Sequence, residues 1–191
     1  MSLPHFFLRE QVLAFESAPV FALHLDADDT KHAKVLRLAV GEHIAVVDAV
    51  SDYFECEVVS FEGDELSVSI AQKLSSYARP EVVLVQGLAK GEKMDTIVRH
   101  ATEVGIAEFA PMTTSRSVVK LDAKKSKARF ERWASIAKSA AMQSGRSSKP
   151  VVHAPCSVAG AVDIAKDCDA VLICWEEAEL SSTLAEAVSC C

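Results

Sequence analysis

Residues 82–106, VVLVQGLAKGEKMDTIVRHATEVGI, constrain the fold more than any other stretch. An apolar run containing Val82, Leu84 and Val85 breaks at Gly87 and Gly91, around the charged step Lys90-Gly91-Glu92-Lys93. Met94, Ile97, Val98, Ala101 and Val104 then recur at the spacing of a helix with one buried face. Gly105 comes next, where a helix end favours a residue that tolerates positive φ. Strand, loop and helix in this order predict the first unit of an α/β domain. The residues before it read as a separate small domain, and those after it as further winding of the same sheet.

The N-terminal residues carry strand and turn signals. His5–Leu8 and Phe21–Leu25 are short apolar runs. Asp26–Ala39 predicts a helix, acidic at its start and carrying Lys34 and Arg37 near its end, in keeping with the helix dipole, with Gly41 ending it. Val35, Leu36 and Leu38 are expected to pack inward. His43–Asp48, Tyr53–Phe61 and Glu65–Leu74 predict strands, the last with Leu66, Val68 and Ile70 alternating against Ser67 and Ser69. The expectation is an antiparallel meander with one helix, closed as a small barrel over residues 1–76. Ser75-Ser76-Tyr77-Ala78-Arg79-Pro80 reads as the linker, and the second domain then covers 77–191. The face formed by His32, Lys34 and Arg37 suits RNA contact or an ordinary solvated surface equally.

Beyond the opening unit, Glu108–Met112 predicts a second parallel strand. It leads into Thr113-Thr114-Ser115-Arg116-Ser117, at the strand end where open α/β sheets bind ligands. That loop suits phosphate or sugar contacts, or is a polar surface loop. Asp122 caps a predicted helix over Ala123–Gln143, whose first turn contains Lys124, Lys125 and Lys127 against the preference of the helix dipole. Val151–Ala154 and a buried Ala170–Cys174 are further predicted strands. Ser157 caps a helix over Val158–Lys166, and Ser182–Val188 begins another.

Charge is unevenly spread. Residues 1–79 hold 6 Lys/Arg against 13 Asp/Glu, residues 90–149 hold 13 against 6, and residues 150–191 hold 1 against 7. A basic block inside an acidic chain is an electrostatic footprint for a polyanion, or else a solvated helix face. There is no phosphate loop, dinucleotide fingerprint, zinc-protease helix or nucleophile elbow. The six cysteines form no C-x-x-C pair and read as free thiols of a reducing cytoplasm. No metal site is expected. No apolar run approaches the roughly 20 residues that span a bilayer, so no membrane partner is expected.

The blocks Lys90–Val119, KGEKMDTIVRHATEVGIAEFAPMTTSRSVV, and Trp133–Arg146, WASIAKSAAMQSGR, resemble the bacterial 16S rRNA uracil-N3 methyltransferases, the E-type small-subunit family. HAKVLRL with its following Gly-Glu resembles that family's N-terminal domain. The resemblance implies a PUA-like β-barrel followed by a SPOUT α/β domain with a mostly parallel sheet and a C-terminal knot that binds S-adenosylmethionine. It implies a homodimer acting on 16S rRNA of the small ribosomal subunit in the cytoplasm. A non-catalytic RNA-binding module of the same family is the alternative. The family's GPEGG-like and LG-x-x-I-L-R-x-E-T-A-like motifs do not occur in the sequence. The expectation is therefore a C-terminally incomplete knot domain, a piece of a longer protein that by itself binds the methyl donor poorly. Carried over by position, Arg146 and Arg116 are the candidate catalytic residues. Leu88 and Glu177 are candidates for the cofactor, with Gln86 beside Leu88. Arg37, Lys34, Lys90, Lys120, Lys124 and Lys125 are candidates for RNA.

Overall fold

In the computed structural model, the described residues are 3–75, 80–117, 119, 121–174, 183 and 185–186. The first unit contains β1 (His5–Phe7), a single 3-10 turn, β2 (Phe21–Ala22), α1 (Ala27–Leu36), β3 (His43–Val47), β4 (Tyr53–Glu62) and β5 (Glu65–Leu74). These strands form one sheet in the order β1-β3-β4-β5-β2. No ladder among the described residues joins β1 to β2, the two outer strands. β1 runs parallel to β3, with His5 opposite Ala45, which departs from the all-antiparallel meander expected. The chain between them, through the 3-10 turn, β2 and α1, is long enough to return to the same end, as a parallel pair requires. Phe6, Ile44, Val46, Val58, Leu66 and Val68 are fully buried at its centre. The expected alternation along β5 stops at Val68, because Ile70 is 39% exposed.

Asp26 caps α1 by accepting a hydrogen bond from the Asp29 N–H at 2.8 Å. The helix ends earlier than expected, because Arg37 turns into the left-handed region at φ 54°. This corrects the inward packing expected of Val35 and Leu36, which are exposed. The left-handed residue redirects the chain, so Leu38, beyond the helix end, takes the core position instead.

The second unit contains β6 (Val83–Gly87), α2 (Lys93–Val104), β7 (Glu108–Met112), α3 (Ala123–Gln143), β8 (Val151–Val152) and α4 (Val158–Ala165). Its sheet is parallel throughout, in the order β6-β7-β8. Asp122 and Ser157 cap α3 and α4 as expected. Gly105, at φ 114°, ends α2. Met94, Val98, Phe109, Trp133 and Ala137 form the core between α2, α3 and the sheet. Val104 is 78% exposed rather than on the buried stripe. Thr102 faces inward instead, its hydroxyl donating to the Val98 carbonyl at 2.8 Å, and Ile106 packs inward just past the helix end.

The expected buried strand at Ala170–Cys174 is corrected. Its residues belong to no strand and are exposed, with Ile173 at 85%. A strand of a parallel sheet is stable when both faces are covered, and among the described residues no ladder takes up this run. Trp175–Ala178, expected at a ligand-bearing edge, lies outside the described residues.

The two units meet along the C-terminal half of α3. Phe7, Val47 and Ala141 pack together with Tyr53 and Met142 against them. Beside this contact, the Lys138 ammonium bonds Asp29 at 2.7 Å and Asp26 at 3.1 Å, and Arg9 bonds Asp26 at 2.9 Å. Nothing in the sequence pattern pointed to that cluster.

Candidate functional site

β6 and β7 run parallel, so their carboxyl ends lie side by side, Gly87 opposite Met112. The Leu88 N–H donates to the Met112 carbonyl at 2.9 Å and ties the two outgoing loops together. The first loop supplies Leu88, Ala89 and Gly91 to a shallow cleft, with Met94 coming from the start of α2. Gly91 has φ 71°, a turn conformation that L side chains adopt only under strain. Val119 and Leu121 close the cleft from the second loop, and Arg129 and Trp133 from α3. This is the ligand position that a parallel sheet dictates.

The second loop holds itself. Thr113 donates from its N–H and hydroxyl to the Cys156 carbonyl at 2.8 and 2.9 Å. The Thr114 N–H donates to Ser117 Oγ at 2.9 Å. The hydroxyls expected to face a ligand therefore fix the turn, and Arg116 is presented to solvent between them. Lys90 is exposed in the first loop, and Lys124 and Lys125 are exposed at the start of α3. Lys125 pairs at the surface with Asp122. The Gln86 amide donates to the neighbouring Gly87 carbonyl at 2.9 Å. Leu88, Lys90, Arg116, Lys124 and Lys125 thus share the carboxyl edge of the sheet.

Arg146 does not join them. Its guanidinium donates to the carbonyls of Ile106 at 2.7 Å and Thr102 at 3.1 Å. These carbonyls belong to the end of α2 and the approach to β7, at the amino edge of the sheet. The cation there satisfies the carbonyls that a helix end leaves open and opposes the negative end of its dipole. β7 and most of α3 separate it from Arg116. Lys34 and Arg37 are also remote. They belong to the first unit, which contacts α3 at Lys138, about 21 Å along the helix from Lys124. Lys34 pairs with Asp64 there. Lys120 and Glu177 lie outside the described residues. Among the described residues no group of acids, histidines or cysteines could hold a metal.

Two residues, one behind the cleft and one lining it, were not singled out from sequence. Asp95 is buried under α3, accepting from Arg132 Nε at 2.9 Å and from the Trp133 indole at 3.1 Å. The Arg132 hydrogen bond, against the effect of burial, holds its carboxyl below the usual range. Arg129 is the other. It stands four residues before the buried Trp133 and therefore on the same helical face, the one sequence signal that could have marked it.

A parallel α/β sheet with a cleft lined by Arg129 at its carboxyl edge, preceded by a small β unit, defines a class of ligand-binding α/β domain. The chain belongs to the RNA methyltransferase domain family, which matches residues 77–189. The ribosomal RNA small subunit methyltransferase E of Bacillus subtilis is 33% identical over 165 residues, which is 85% of this chain and 64% of that protein. The enzyme of the same name from Aquifex aeolicus is 34% identical, over 65% of this chain and 54% of its own length. The chain therefore spans between half and two thirds of these relatives. A crystal structure of a hypothetical protein superposes with a TM-score of 0.81 at 31% identity, covering 90% of this chain and 71% of that one. A Legionella pneumophila putative methyltransferase solved with its bound cofactor SAM gives 0.72 at 25% identity, covering 87% and 68%. Among the described residues no helix is long and apolar enough to cross a membrane.

Proposed function

We propose that this chain is part of an S-adenosylmethionine-dependent methyltransferase that modifies N3 of a uridine in 16S rRNA of the small ribosomal subunit. The observation that carries the reading is the cleft at the carboxyl edge of β6 and β7, lined by Leu88 and Arg129, with Lys90, Arg116 and Lys124 exposed on the same edge, in a chain of this family. Uracil N3 is a weakly acidic imide nitrogen and must lose its proton before it can attack a sulfonium methyl group. Cations or donors fixed near O2 or O4 stabilise the anion that results. Arg116 suits that task, being always charged and planar. Leu88 forms the apolar wall against the methyl donor. The target base leaves its stack to enter the cleft, and Lys90, Lys124 and Lys125 take the flanking phosphates. Lys34 and Arg37 form a second, separate RNA contact on the first unit. Arg146 acts on this reading through α2, by holding its end, and not on the base. The protein works in the cytoplasm as a homodimer, which light scattering tests.

The decisive experiment supplies labelled S-adenosylmethionine and unmodified small subunits and identifies the product nucleoside by mass spectrometry. 3-Methyluridine is expected. Any other methylated nucleoside refutes the N3 assignment. A second reading is a non-catalytic RNA-binding module of the same family, which the exposed cations of the carboxyl edge would serve equally. RNA binding without calorimetric binding of S-adenosylmethionine by either this chain or a chain extended to the relatives' length would establish it.

A further inference from the structure

The cations of α3 are held in different ways. Arg132 is held by Asp95, Lys138 by Asp26 and Asp29, Lys125 by Asp122, and Lys127 by Glu131. Lys124 is exposed. Arg129 differs from all of these. It is half-buried, it lines the cleft beside Leu88, Met94 and Leu121, and among the described residues it has no hydrogen-bond or ion-pair partner. Long cationic side chains at such an edge cover apolar surface with their stems and keep their charge solvated. A guanidinium so placed loses part of its hydration and gains only the field of Asp95, with no carboxylate bonded to it, and a bound anion would supply that direct partner. Asp95 is close enough to interact electrostatically but is already committed to Arg132 and Trp133.

We propose that Arg129 is the phosphate anchor of the cleft: it receives one phosphodiester of single-stranded RNA in bidentate fashion at the cleft mouth. The inference rests on the RNA reading above and adds the residue and the chemical group it grips. The surroundings match in charge, since residues 90–149 carry 13 basic residues against 6 acidic ones and Lys90, Lys124 and Arg116 share this edge. Planar, bidentate recognition of two phosphate oxygens is what arginine provides and lysine does not.

The test is fluorescence anisotropy of a labelled, uridine-rich single-stranded RNA with this chain, titrated with salt, for wild type, Arg129→Gln and Arg129→Lys. Circular dichroism melts confirm that each variant is folded. Arg129→Gln should bind about tenfold more weakly and lower the slope of log K against log salt by about 0.7, the value for one phosphate contact on a single strand. Arg129→Lys should keep the slope and recover only part of the affinity, because the point charge stays and the fork is lost. Equal affinity and slope for wild type and Arg129→Gln overturn the proposal while leaving the RNA reading intact. Loss of S-adenosylmethionine binding with RNA binding untouched also overturns it, by assigning Arg129 to the carboxylate of the small molecule. Failure of wild type itself to bind RNA sinks the RNA reading and this proposal with it.

Discussion

Replacing Lys138 by methionine should cost this protein about 3 kcal/mol. The Asp29 side chain is 4% exposed and the Lys138 side chain 20%, and the ammonium is bonded to that carboxylate at 2.7 Å. Removing one partner of a buried pair leaves an uncompensated charge, a loss of about 3–5 kcal/mol, and the residual exposure of Lys138 places this case at the low end. The remaining contacts of Asp26, the Asp29 N–H and Arg9, keep that second carboxylate partly satisfied. In urea, with a slope of about 3 kcal/mol/M, the unfolding midpoint should fall by about 1 M. Methionine keeps the aliphatic stem and its packing, so the loss reports charge rather than volume.

The effect should also depend on pH in a stated direction. Burial raises the Asp29 carboxyl above its ordinary value, and the Lys138 hydrogen bond works against that rise. Without Lys138 the folded value climbs further. A carboxyl whose folded pKa lies above its unfolded pKa makes the native state bind more protons than the unfolded state. Stability then falls as pH rises through the window between the two values. Lys138→Met should therefore regain stability as pH falls from the raised folded value toward the unfolded value, over a wider window than wild type, with little change above the folded value. Adding Asp29→Asn should restore most of the loss at pH 7, because the uncompensated charge is gone. Urea titrations of the four corners of this cycle, monitored by circular dichroism, supply the test. A loss below about 1 kcal/mol, with no pH dependence and no rescue, would refute the account of the inter-unit contact as a buried, charge-satisfied one.

Three other outcomes are expected of the same structure. Arg146→Ala should destabilise by about 2 kcal/mol, since a cation donating to buried carbonyls is removed; full stability in thermal melts combined with lost methyl transfer would instead favour a direct part in the chemistry. Arg37→Gly should raise stability by several tenths of a kcal/mol to about 1 kcal/mol, because only glycine enters the left-handed region without steric cost; on the RNA reading the same variant binds RNA more weakly, so denaturation and anisotropy should move in opposite directions. Cys56 is fully buried, and burial pushes its thiol up to about 12; native protein at pH 8 should leave it unalkylated by iodoacetamide under conditions that label the exposed Cys174, as peptide mass spectrometry reads.

The periodic elements were legible because their cause is local. Met94, Val98 and Ala101 repeat at helical spacing and are buried together, and Asp122 and Ser157 cap the helices they were expected to cap. The parallel entry of β1 was not legible, because pairing between His5 and Ala45 is decided by how the chain returns, not by either strand. Ala170–Cys174 misled for a related reason: an apolar run records that a residue type can be buried, while burial needs a partner surface.

Charge was the least legible quantity of all. Arg116–Lys149 contains 10 basic residues against 2 acidic ones, and read along the chain they form one footprint. In three dimensions Arg132 and Lys138 turn inward to carboxylates, Arg146 to helix-end carbonyls, and Lys125 and Lys127 to surface acids. Pairing of this kind is set by contacts across 37 and 109 residues for Asp95–Arg132 and Asp29–Lys138, which no local pattern encodes. Among the described residues, Lys90, Lys93, Arg116 and Lys124 are exposed at the carboxyl edge outside any ion pair, and Arg129 lines the cleft itself. On the RNA reading, the electrostatic contribution of the cleft edge should accordingly track these side chains and the exposed Lys125, and not the block as a whole. About five or six phosphate contacts at this edge would contribute a salt slope of roughly 4 on a single strand, whereas the ten basic residues counted along the chain would contribute about 7.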